Sequence, residues 1–484
     1  MGLDPGLRRL ALGTLLAAYA GPVPPDWAVD LLADGLAGHT LFGTNVHDPA
    51  QVAASTAALR AGRPDVILAI DEEGGDVTRL AHATGSPYPG NAALGAVDDP
   101  DLTRQVYAAI GGELAALGLT LDLAPTVDVN TADENPVIGT RSFGADPKRV
   151  AVHSAAAVAG LQSAGVAACA KHFPGHGATV ADSHHELPTV DVPPTVLRER
   201  DLPPFAAVVD AGVRAVMTAH IRVPALTGDG PATFSRAVLV DLLRGEYGFT
   251  GTVITDALEM KGAALAAGGV GPAAVRALAA GADLLCIGAK VDAGLVELVA
   301  AEIVAGIGDG RLDRARVEEA AGRTAALAAW TAPADAPAPV AADLGYAAAL
   351  RAVRVEGDLP TAGTPLVVQV HATSTIAEGR VPWGLGPHLP ADVAQARAVA
   401  GETDPAELRG LAGDRPVVLV GRHLHRLPGA RELVEALAAS HPVTVVEMGW
   451  PGDWRPAGAR AFVATYGASH ANGRAAAKAL GLTD

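Results

Sequence analysis

The sequence predicts an α/β protein: an N-terminal (β/α)8-like TIM barrel followed by a smaller α/β sandwich domain. Three observations predict it. Short apolar runs alternate with Ala/Leu-rich helical stretches through the first two-thirds of the chain. Polar, chemically capable residues close several of those runs. A Pro/Ala stretch, TAPADAPAP (331–339), then interrupts the pattern, which restarts beyond it.

The elements follow in order. Arg8 and Arg9 precede the apolar stretch LALGTLLAAYA, whose AYA resembles a small-residue cleavage site. Gly13 and Thr14 break this stretch and Asp4 weakens its positive start. It is therefore expected to be the first helix or strand of the folded domain, in a cytoplasmic protein; cleavage at AYA would make the protein secreted instead. Strands are expected at 39–43, 65–73, 120–128, 166–173, 214–221, 251–260 and 282–288. These runs are continuously apolar, as strands buried on both faces should be. Helices are expected at 101–117, 147–164, 203–212, 236–246 and 271–281. With one more strand near the N-terminus, the runs make a closed barrel of about eight. An open doubly wound sheet is the alternative. Asp71, Asp128, Lys171-His172, His220 and Asp256 sit at the C-terminal ends of different strands, which favours the barrel. A barrel gathers such ends around one pocket, whereas an open sheet brings only neighbours together.

The domains are placed at 1–330 (catalytic barrel), 331–340 (stiff Pro/Ala linker) and 341–484 (α/β sandwich). Buried strands are expected in the last at 365–370, 416–423, 442–449 and 459–467. It carries no GxGxxG element in the right context, so no nucleotide site is proposed there. The His-rich segment GRHLHRLPG (421–429) reads as a surface loop.

At 484 residues the chain exceeds one typical core. Its 49% hydrophobic and 18% charged residues are globular in proportion. A formal net charge of −17 repels nucleic acid and anionic membrane, and no Lys/Arg run opposes that, so neither is an expected partner. No stretch is long and apolar enough to read as a spanning helix. Cys169 and Cys286 both lie in apolar strand runs and read as buried thiols, compatible with a reducing compartment. The oligomeric state is not legible.

Four histidines, two prolines and two glycines crowd the segment KHFPGHGATVADSHHELP (171–188). Zinc could take His172, His176, His184 or His185, but the spacing matches no standard site and Lys171 would repel a cation. A phosphate cradle would use Lys171 and the glycines, but no GK[ST] element is present. A general acid/base fits best. Asp182 and His184 are two apart, so in an extended loop the carboxylate can orient the imidazole and fix its tautomer. Asp256, in VITDALEM, reads either as a nucleophilic carboxylate or as the N-cap of the next helix. In DEEGGDVTR (71–79), Asp71 and Arg79 flank a glycine turn and suit a polyhydroxylated ligand; a solvated acidic turn is the plain alternative. Arg141 in IGTRSFG is another donor.

KHFPGHG followed by DSH, with IDEEGGxVTR upstream and a TDALEM aspartate downstream, resembles glycoside hydrolase family 3, and within it the β-N-acetylglucosaminidase branch. The likeness runs in order from about Leu12 to about Trp330; EMGWP (447–451) and YGASHANGRAA (466–476) resemble the second domain of two-domain bacterial members. It implies Asp256 as catalytic nucleophile, His184 as acid/base and Asp182 as its orienting partner. Asp71, Arg79, Arg141, Lys171 and His172 would bind the terminal sugar, with no metal and no cofactor. The implied activity is retaining, exo-acting removal of N-acetylglucosamine from peptidoglycan-derived fragments. One departure is visible: Asp76 stands where many members carry a basic residue. Three other activities are weighed: an N-acetylglucosaminide phosphorylase, since a histidine tolerates phosphate better than a carboxylate would; a family 3 β-glucosidase or xylosidase; and a non-catalytic sugar-binding protein.

Overall fold

The computed structural model describes residues 3–330, 341–359 and 363–483. The expected Pro/Ala linker at 331–340 lies outside the described residues. The described residues divide into two compact units. One holds the chain through Glu73, then Thr103–Ile138, then Gly144 up to Trp330. The other holds Gly74–Leu102, Gly139–Phe143 and the chain from Ala341 onward. Two stretches of the N-terminal part thus pack with the C-terminal part, a division no composition shift in the sequence marks.

The first unit is an eight-stranded parallel barrel. Its strands are β1 (Leu15–Ala17), β2 (Gly38–Leu41), β3 (Ile67–Ile70), β4 (Leu121–Asp122), β5 (Ala167–Phe173), β6 (Ala215–Thr218), β7 (Thr252–Thr255) and β8 (Leu285–Cys286). They run β7-β6-β5-β4-β3-β2-β1-β8, and a parallel bridge between Ile254 and Leu284 joins the two ends. The open-sheet alternative is therefore excluded. The stretch beginning at Leu10 forms the end of the helix Pro5–Leu12 and then β1, which pairs with β2 and β8. All five expected helices are present, with Ala237–Glu246 wound as a π-helix.

Residues in or directly before every strand meet in one cluster: Leu16, Ala37, Ile67, Ala69, Leu121, Ala167, Cys169, Ala215, Met217, Ile254 and Leu284. Strand side chains alternate in direction, so residues from all eight strands can touch only inside the barrel. Leu327, from the helix Arg314–Ala328, packs onto the same cluster. The outward residues face helices, so both faces are apolar and the runs read as continuous. Both cysteines are buried and free.

The second unit carries a six-stranded sheet: β9 (Arg354–Gly357), β10 (Leu366–Val370), β11 (Ala394–Ala398), β12 (Val417–Gly421), β13 (Val443–Glu447) and β14 (Ala461–Ala464). Its order is β11-β10-β12-β13-β14-β9, parallel except for β9. Leu366, Val368, Val417 and Leu419 face one core, while Val367, Val418 and Val420 face another. The sheet is thus the filling of a sandwich. The sequence missed both edge strands. β9 is exposed along its whole length and β11 alternates in AQARA, a pattern as compatible with helix as with strand.

A buried charge sits at the seam where the barrel closes. Asp283 is fully buried; it accepts from Val253 N at 2.9 Å and pairs with Arg244, Arg316 and Arg323. Replacing it with Ala leaves three guanidinium groups facing an empty site at the β7–β8 seam. Asp283→Ala should lose roughly 3–5 kcal/mol of stability in urea denaturation, whereas Arg323→Ala, at the longest of the three contacts, should lose less.

Candidate active site

The C-terminal ends of β3 to β7 bring the barrel's polar residues to one end of the fold. β5 ends in Lys171-His172, and the Lys171-His172 and Phe173-Pro174 peptides are cis. Lys171 is buried, and its ammonium lies 2.6 Å from Asp71 Oδ1 and 2.7 Å from Glu73 Oε1. Glu73 Oε2 accepts from Thr126 Oγ1 at 3.1 Å. A lysine here needs these partners, because an unpaired buried ammonium is strongly unfavourable. Asp71 keeps part of its surface open beside this fixed charge.

Asp128 is fully buried. Its carboxylate takes His172 Nδ1 at 2.8 Å, His176 N at 2.6 Å and His172 N at 3.2 Å. Burial alone would raise its pKa; the neighbouring His172 and His176 and their hydrogen bonds outweigh burial and hold it below the usual carboxylate value. Asp128 thereby fixes the orientation of His172.

Asp182 and His184 form the expected dyad. Asp182 Oδ1 lies 2.6 Å from His184 Nδ1 and also accepts from His184 N at 2.9 Å. The carboxylate therefore takes the Nδ1 proton and leaves Nε2 as the working nitrogen. Burial opposes ionisation of Asp182, but its bonds to His184 prevail and lower its pKa. Asp256 follows β7 directly and remains partly open. Burial pushes its carboxyl up; His220, His172, His184 and the Ala257 N–H outweigh this and bring it down to about 2. The Ala257 bond, at 2.8 Å, comes from the very next N–H, whereas an N-cap accepts from two or three residues on. The helix that follows begins only at Lys261, capped by Met260, so Asp256 is not its N-cap. His184 and Asp256 are close enough for the imidazole to be one cause of that low value.

Arg79 and Arg141 belong to the second unit. There Arg79 Nη2 donates to Ala377 O at 2.9 Å, and Arg141 O accepts from Asn91 Nδ2 at 2.7 Å. Asp76 lies in that unit too and is satisfied by Thr140 Oγ1 at 2.6 Å, Ala468 N at 2.7 Å and Arg422 Nη2 at 3.3 Å. Arg422 is the second residue of the segment GRHLHRLPG, which is a correction: the first residues of that segment are buried, not surface loop. The zinc reading finds two of its histidines engaged otherwise, His172 by Asp128 and His176 by Thr179 and Ser183.

Glu73, Asp128, His176 and His220 were not among the residues expected to bind sugar or act in catalysis, His176 figuring only as a possible zinc ligand. Glu73 was visible inside DEEGG, and Asp128 and His220 as polar strand ends. His220 spans Thr233 Oγ1 at 2.8 Å and Ala257 O at 3.1 Å, which sets its ring beside Asp256.

A carboxylate directly after β7 and an imidazole–carboxylate pair in the loop that follows β5 define a barrel enzyme equipped for attack and proton transfer. Residues 24–327 match the family described as "Glycosyl hydrolase family 3 N terminal domain". The chain is 40% identical over 257 residues to a β-hexosaminidase of Chromobacterium violaceum, covering 52% of this chain and 71% of that one. It is 38% identical over 261 residues to β-hexosaminidase A of Pseudoalteromonas piscicida, covering 50% of this chain and 44% of that longer protein. A family 3 β-N-acetylglucosaminidase structure from Paenibacillus sp. str. FPU-7 superimposes with a TM-score of 0.87 at 33% identity, covering 99% of this chain and 97% of the other. The chain belongs to glycosyl hydrolase family 3, and the resemblance drawn from its motifs holds.

Asp128, Asp182 and Asp256 all have pKa values lowered by folding. A lowered carboxylate pKa stabilises the fold above the unfolded value and ceases to do so as pH falls through the folded one. The wild-type urea midpoint should therefore drop on acidification below about pH 4. The same titration of Asp256→Asn should give a shallower drop between pH 4 and pH 2.

Proposed function

We propose that this protein is a retaining, exo-acting β-N-acetylhexosaminidase that releases terminal N-acetylglucosamine from peptidoglycan-derived fragments. The observation that carries the reading is the Asp182–His184 dyad placed within electrostatic reach of an ionised Asp256. The β-hexosaminidase relatives support the sugar class.

In the first step an Asp256 oxygen attacks the anomeric carbon and forms an ester bond. The bond from that carbon to the leaving oxygen breaks, and its electron pair takes the proton from His184 Nε2. In the second step water attacks the same carbon from the vacated side. Its proton passes to the now neutral His184, and Asp256 departs as a carboxylate. Two inversions give retention. Asp182 holds the ring and stabilises its charged form throughout. Asp71, Lys171 and His172 bind the terminal sugar: Asp71 accepts from its hydroxyls, the paired Lys171 donates, and His172, oriented by Asp128 through Nδ1, offers its Nε2. Arg79 and Arg141 are proposed for sugar binding as well, with Arg141→Ala raising KM. The expected place of action is the cytoplasm, on imported muropeptides; cell fractionation checks it.

Asp256→Ala should lower turnover of an aryl N-acetyl-β-glucosaminide by roughly a thousandfold or more. His184→Ala should lower kcat/KM by about 10²-fold or more for a poor leaving group and far less for a dinitrophenyl one. Near-normal turnover by the Asp256 variant removes the nucleophile assignment. Inorganic phosphate should leave the rate unchanged; formation of sugar 1-phosphate would make the protein a phosphorylase.

A further inference from the structure

We propose that His176 is a positioning residue: its Nε2 accepts the Ser183 hydroxyl and so holds the Asp182–Ser183–His184 turn where His184 can deliver its proton. The proposal rests on the glycosidase reading above.

The root of His176 is fixed. Its N–H donates to Asp128 Oδ1 at 2.6 Å, and its carbonyl accepts from Asn135 Nδ2 at 3.0 Å. Gly177 is packed against the backbone so closely that a Cβ there would sit 1.9 Å from Val129 O. The ring is buried and stands edge-on to His172, with centroids 5.9 Å apart.

The hydrogen bonds decide the tautomer. Thr179 Oγ1 donates its one hydrogen to His176 O at 3.0 Å. The same oxygen lies 2.7 Å from His176 Nδ1, so it accepts there, and Nδ1 carries the proton. A neutral ring protonated on Nδ1 presents a lone pair at Nε2. Ser183 Oγ is 3.2 Å from that lone pair, and its hydroxyl donates. Burial, followed by the neighbouring His172, pushes the His176 pKa down to about 4, so the ring stays neutral across the near-neutral range.

Ser183 is held from the other side as well. Its carbonyl accepts from Gly262 N at 3.3 Å, in the helix that follows Asp256. One serine between the two dyad members is thus tied both to the Asp128-rooted ring and to the helix that follows the nucleophile in sequence. An acid on a loop misplaced by about 1 Å can lose around a hundredfold in rate, so such ties have kinetic weight.

The test uses the full-length protein with two aryl N-acetyl-β-glucosaminides, one with a poor and one with a dinitrophenyl leaving group. Ser183→Ala should lower kcat/KM for the poor leaving group by about tenfold or more. It should change the dinitrophenyl substrate by less than about threefold and leave the melting temperature in place. His176→Leu should show the same split. His176→Gln, whose amide oxygen can accept the same hydroxyl, should recover most of the loss. The double variant Ser183→Ala/His176→Leu should be no worse than the poorer single one. Equal losses on both substrates, multiplied losses in the double variant, or no loss in Ser183→Ala would overturn the proposal. If His184→Ala shows the leaving-group split and Ser183→Ala does not, the tie alone fails. If His184→Ala shows no split, the acid/base reading fails and takes this proposal with it.

Discussion

A fully buried carboxylate, Asp128, organises the chemical end of the barrel. A charge without water must be surrounded by donors or it costs several kcal/mol. Here the donors are the backbone and ring of His172 and the backbone of His176. Satisfying one anion therefore shapes the start of the loop after β5. From it follow the orientation of His172, the root of the His176 ring, and through that ring the hold on Ser183 beside His184. The glycines and prolines of KHFPGHG let the backbone bend tightly enough to bring these donors to one point; Gly175 sits at φ +124°, where a side chain would be strained.

Proton transfer and sugar binding draw on opposite solutions to burial. Lys171 is neutralised by two carboxylates, so it contributes a fixed dipole more than a free charge. Asp256 is partly open; His220, His172 and His184 lower its pKa from nearby, and the Ala257 N–H donates to one of its oxygens. A carboxylate held by a full salt bridge would be a poor nucleophile, since attack would first have to break the pair. Imidazoles lower the pKa without occupying both oxygens.

Much of this was legible in the sequence, for physical reasons that can be named. Strands covered on both faces leave unbroken apolar runs, so seven of the eight barrel strands announced themselves, while the short β1 sat in a stretch that read equally as helix or strand. The Asp182–His184 pair was legible because its two members are local. Long-range pairings were not. Nothing near Asp76 points to Arg422, 346 positions away, yet that arginine and Ala468 N explain how the buried Asp76 is accommodated. Arg422 was hidden for the same reason: a guanidinium in a His-rich segment reads as solvated until its partners, Asp76 and Glu378, are known. The His176–Ser183 contact needs the fold of the loop itself, which spacing does not supply.

The composite second unit bears on how the chain is made. Gly345 lies against the Pro87 carbonyl with no room for a Cβ, Arg354 donates to Ala96 O, and Arg351 pairs with Asp99. Residues 74–102 therefore leave the ribosome some 240 positions before the partners that complete their packing. The barrel strands on either side can pair during synthesis while this insert waits. A nascent chain caught in that interval exposes unfinished surface, and it is there that a chaperone would find its hold.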